Sequence, residues 1–195
     1  MSMKRWMAVV ACCAAFSMPL GAWAQKEKPK MATPNVPIAP ATSFGALLGL
    51  LEKEVVGAAD AMPADKYDFV PSGPGEFKDV RSFGSQVKHL AESNYEFFDD
   101  WGVPGAVDSK TIEALKTKDD IMKALRDSYK YAHAAVDSIT PENAFLSLPA
   151  PEAYKATRAS MAAFCLAHSM DHYGQLVVYL RMNGIIPPAS RKGAM

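Results

Sequence analysis

MAAFCLAHSMDHYGQLVVYLRMNG, residues 161–184, carries Met161, Phe164, Cys165, His168, His172, Gln175, Leu176 and Tyr179 at successive steps of three and four. Side chains so spaced stack on one face of an α-helix. The spacing predicts a long helix from about Glu152 to Asn183. Gly184 is a suitable residue just past its end, and Pro187-Pro188 prevent continuation. The histidines His168 and His172 stand four apart on or beside the inward stripe. Burying imidazoles without partners is costly, so an inward pair needs a metal ion or hydrogen-bond partners.

Three further helices precede this one. The first is expected over about Ser43–Ala59, with Phe44, Leu47, Leu48, Leu51, Val55 and Val56 at helical spacing. Pro63 and the segment Tyr67–Gly75, with Pro71, Gly73 and Pro74, break the pattern into a loop. The second starts at Ser82, a good N-cap residue. It presents Phe83, Val87, Leu90, Tyr95 and Phe98 and is expected to stop near Gly102-Val103-Pro104. The third runs from about Asp119 to Ile139 on a stripe of Ile121, Leu125, Tyr129, Ala132, Val136 and Ile139, with a helical turn expected before it at Thr111–Leu115. Pro141–Pro151 is read as loop. No long period-two alternation and no Asn-Gly or Asp-Gly hairpin turn between apolar runs signals strands. The expected fold is therefore all-α, a four-helix bundle.

The chain has 195 residues, 49% of them apolar and 22% charged, an ordinary globular balance. Its N-terminus reads as an export signal of residues 1–24. Met1–Arg5 is a basic head, Trp6–Leu20 an apolar run, and Gly21-Ala22-Trp23-Ala24 a small-x-small site with cleavage expected before Gln25. The run of about 15 residues is short of the roughly 20 that a membrane-spanning helix needs. After cleavage the expected location is the periplasm or the exterior, with no stable membrane insertion. Gln25–Pro40, with Pro29, Pro34, Pro37 and Pro40, is read as a semi-rigid linker. The folded domain is placed at residues 41–190, with a C-terminal tail at 191–195.

Lys4 and Arg5 leave with the signal, so 19 basic residues face 21 acidic ones, a net charge of −2. That balance argues against a general nucleic-acid or anionic-membrane binder. Cys12 and Cys13 leave as well, so Cys165 stands alone and the fold must rest on its core, not on disulfides.

The helix before Gly102 supplies a third histidine, His89, next to Val87 and Leu90. His89, His168 and His172 together make a candidate metal triad. Three protein ligands and one open position form the catalytic arrangement of a zinc-type ion. The remaining histidine, His133, is read as half-buried with a backbone partner, and Cys165 as a small core residue with a soft-ligand role as the alternative. Asp171 is expected to face outward or to orient a ligating ring.

Four segments carry a resemblance. Met62–Pro71 (MPADKYDFVP) and Arg81–His89 (RSFGSQVKH), together with His168–Leu176 (HSMDHYGQL) and Tyr179–Pro188 (YLRMNGIIPP), resemble the DinB-like family of metal-dependent bundle proteins, not the DNA polymerase of similar name. The resemblance spans about Ser43–Ser190. It implies an up-down-down-up bundle and a metal triad at His89, His168 and His172. It also implies one divalent ion, zinc or nickel first, and pairing into a homodimer. Activities implied are those of a metal-dependent transferase or hydrolase acting on a small-molecule thiol or electrophile. Glu92, Asp171 and Tyr173 are candidate bases. The export signal departs from a typical cytoplasmic member. Two other readings stand beside the enzyme: a non-catalytic metal-binding, stress-associated periplasmic protein, and a metal-free interaction module.

Overall fold

The computed structural model describes residues 33–149 and 156–193. The expected signal, most of the expected linker and the segment Ala150–Lys155 lie outside the described residues. The chain divides at Val36/Pro37. Before that boundary the description covers a turn closed by Val36 N–H donating to Thr33 O at 3.4 Å.

The second unit contains five helices among the described residues: α1 (Pro40–Ala61), α2 (Phe83–Glu96), α3 (Ser109–Glu113), α4 (Lys118–Asp137) and α5 (Arg158–Met182). The described residues hold no β-strand; a single antiparallel bridge joins Ser147 to Thr157. No helix among them is long and apolar enough to cross a membrane.

Local chemistry sets the helix ends. α1 begins at Pro40, three residues before the expected start, because proline's fixed φ and missing N–H suit the first helical position. Ser82 caps α2 as expected, its hydroxyl accepting from Ser85 N–H at 3.2 Å. Thr117 caps α4 in the same way through Asp120 N–H at 3.1 Å. α5 starts at Arg158, later than the expected Glu152. Thr157 and Ser160 exchange side-chain and backbone hydrogen bonds there, a capping box. At the other end Gly184, with φ of 72°, closes α5 as expected. Ile185 N–H donates to Leu180 O at 2.9 Å and Gly184 N–H to Arg181 O at 3.0 Å. α2 ends at Glu96, short of the expected Gly102. A tight turn at Asp99–Trp101 follows, and Gly102 with φ of 72° terminates it.

α1 packs along α4 and α5, and α2 also packs along α4 and α5. Around the bundle the order is thus α1, α4, α2, α5, and the short α3 lies against α2. The centre is filled by Leu48, Val55, Phe83, Val87, Leu90, Leu125, Tyr129, Leu176 and Leu180, all nearly inaccessible to solvent. The α2–α5 contact is the one that matters for the histidines, because His89 rides on α2 and His168 and His172 ride on α5.

Candidate metal centre

His89, His168 and His172 come together between α2 and α5. Each offers a ring nitrogen, and the three nitrogens lie within 4.8 Å of one another. The ring centroids are 4.5–5.1 Å apart. His168 Nε2 and His89 Nε2 are 3.2 Å apart, one ring donating an N–H to the bare nitrogen of the other. Two nitrogens held at 2.0–2.1 Å from a tetrahedral ion stand about 3.3 Å apart. The two helices therefore hold this pair at ligating distance.

The rings are neutral, as ligands must be. Burial pushes His89 down to about 4, with Arg81 and His172 adding to the effect. Burial, then His172 and His89, push His168 down to about 4. Burial also lowers His172, against the opposing pull of Asp171. His172 Nδ1 is buried without a hydrogen-bond partner, a vacancy that an ion at that nitrogen would fill. The donor set, its spacing and its protonation state fit a divalent ion of the zinc type.

One wall of the cluster is aromatic. Phe97 meets His168 edge-on at 5.2 Å between centroids, and Phe164 lies edge-on to Phe97 at 5.2 Å and tilted to His168 at 6.3 Å. The opposite flank is polar. Gln86 Nε2 on α2 donates to Gln175 Oε1 on α5 at 2.5 Å, and Gln175 Nε2 donates to Asp171 Oδ2 at 3.0 Å.

The other residues singled out in the sequence fall in place around this centre or away from it. His133 lies on α4 and pairs with Glu52 of α1, Nε2 to Oε2 at 3.0 Å, so its partner is a carboxylate and not the expected backbone group. Cys165 is buried, its thiol against Asn94 Oδ1 at 3.6 Å and pushed up to about 12 by burial; it is not in the metal-ligating group. Asp171 faces outward and is hydrogen-bonded to Gln175, not to a ring. Tyr173 reaches α1, its hydroxyl donating to Glu54 Oε2 at 2.8 Å, and is pushed up to about 12 by burial and that carboxylate. Glu92 is half-buried, its carboxyl raised by burial and by Glu113 and Glu96. Sequence reasoning missed Gln86 and Phe97 as neighbours of the centre. Gln86 stands three residues before His89, and so on the same helical face, which is the signal that would have found it.

Among the described residues the fold is an all-helical bundle whose α2 and α5 bring together three histidines that could hold a metal ion. The chain belongs to the DinB superfamily, whose family model matches residues 47–176 and so covers all three histidines. No curated protein matches it.

Proposed function

We propose that this protein is an exported divalent-metal-binding member of the DinB superfamily, with one zinc or nickel ion carried by His89, His168 and His172. The observation that carries this reading is the meeting of three neutral ring nitrogens from two helices within 4.8 Å. A divalent ion in a three-histidine site supplies Lewis acidity to whatever occupies its fourth position. What the chain itself contributes is orientation: α5 sets two rings one turn apart, α2 brings the third, and Phe97 packs edge-on against His168. The preferred reaction class is metal-dependent transfer or hydrolysis on a small thiol or electrophile. Export is supported by the basic head, apolar run and small-x-small site before Gln25.

One set of observations favours a non-catalytic metal-binding role. Of the three candidate bases, Tyr173 is tied to Glu54 and Asp171 to Gln175, leaving Glu92 as the carboxyl with a raised affinity for its proton. Elemental analysis of protein purified from full-chain expression, without a His tag or chelator, tests the metal. About one equivalent of zinc or nickel in the parent, absent in His168→Ala, is the expected result. No metal in either, even after incubation with both ions, leaves the histidines structural. With metal established, a panel of thiols and electrophiles separates the two roles: turnover lost in Glu92→Gln at full metal content supports the enzyme, and no turnover at full occupancy supports the binder.

A further inference from the structure

We propose that Gln175, fixed by Asp171 and clasped by Gln86, is the positioning residue that holds His89 of α2 against the histidine pair of α5. This rests on the metal-centre reading and adds residues to it. Two observations carry it. The Gln86–Gln175 hydrogen bond crosses from α2 to α5, and Gln86 is 3% exposed. Gln86 stands three residues before His89 and Gln175 three after His172, so the bond joins the two helices one turn from the rings.

The orientation of the chain of amides is determined at its exposed end. An ionised carboxylate only accepts. Asp171 therefore turns the Gln175 NH₂ toward itself, at 3.0 Å. The Gln175 carbonyl oxygen must then face α2 and can accept only from a donor. Gln86 presents its NH₂ accordingly, at 2.5 Å. A surface carboxylate thus selects one of two amide orientations in a half-buried clasp. The clasp holds α2 and α5 at the separation that puts His89 Nε2 and His168 Nε2 3.2 Å apart. Groups that orient ligands in this way typically matter 10–100-fold for metal affinity.

The test loads the purified protein with cobalt(II) and reads its visible spectrum and its affinity by competition with a chelator. Gln175→Leu and Gln86→Leu are expected to weaken binding about 10–100-fold and to change the cobalt spectrum. Asp171→Asn, on the surface and safe for folding, is expected to produce a smaller loss in the same direction, because an asparagine both donates and accepts and no longer selects one orientation. Metal-free urea midpoints close to the parent's establish that the leucine variants are folded. Folded Gln175→Leu and Gln86→Leu with the parent's affinity and spectrum overturn the positioning role while the metal centre stands. A parent that takes up no cobalt, like His172→Ala, overturns the metal centre and the positioning role together.

Discussion

A histidine in water titrates near 6.5, and His89 and His168 are each held down to about 4, chiefly by burial. The unfolded chain therefore binds protons that the folded chain refuses. Stability from these rings is complete above about pH 6.5 and is lost as pH falls toward 4. Urea midpoints of the metal-free protein are expected to drop across that window, and His168→Ala is expected to drop less steeply because one refusing ring is gone. Parallel curves for the two proteins would contradict the assignment. Cys165 gives a second expectation. Its thiol is 1% exposed and pushed up to about 12, so little thiolate exists at neutral pH. Iodoacetamide at pH 7.5 is expected to leave Cys165 unmodified in the native protein and to label it fully in urea, with intact mass as the readout. Rapid labelling of the folded form would show that the α2–α5 side opens.

Helix ends show how much of the structure was legible in the sequence. Ser82 and Gly184 were readable because each is a residue type with one strong local role, and both act as expected. The start of α5 was not. Its cap is Thr157 with Ser160 three residues later, and a capping box is ordinarily signalled by Glu or Gln at that place. Serine performs the reciprocal hydrogen bond here at 3.0 Å but carries no such signal. The end of α2 misled for another reason. Phe98 and Trp101 continue the apolar spacing, yet they pack on each other at 4.9 Å from a turn, not from a helix. The histidine cluster was legible because i, i+4 spacing fixes two rings and an apolar stripe fixes the third. The amide clasp was not: Gln86 and Gln175 each share a helical face with a histidine, but their bond joins residues 89 apart, a pairing that no local spacing shows. The α5 cap supplies its own expectation: Thr157→Ala, which removes the acceptor for Ser160 N–H, is expected to cost about 1 kcal/mol. Urea unfolding at constant slope measures it, and a change below about 0.3 kcal/mol would mean that the Ser147–Thr157 bridge, not the cap, holds this end.

The bundle as a whole joins the histidines to folding. His89 sits on α2 and the other two on α5, and α2 and α5 meet each other while both also pack on α4 or α1. An ion bound by all three residues therefore binds the assembled bundle and not the open chain. Ligation to the native state alone adds about 2.7 kcal/mol at a free ion concentration one hundred times the dissociation constant. For a chain of this size each kcal/mol moves the midpoint by roughly 2–4 °C. The melting temperature is thus expected to rise by about 5–10 °C when zinc is added to the metal-free parent. It is expected to stay within about 1 °C in His168→Ala, because only His89 on α2 and His172 on α5 remain, and a site with two ligands in place of three holds the ion too weakly to be filled at that zinc concentration. The measurement is a thermal melt at pH 7.5, with and without zinc, on both proteins. An equal rise in the mutant would locate the ion elsewhere on the surface, for instance at the His133–Glu52 pair between α4 and α1. His133→Ala in the same melt separates the two sites, since it leaves the α2–α5 triad untouched.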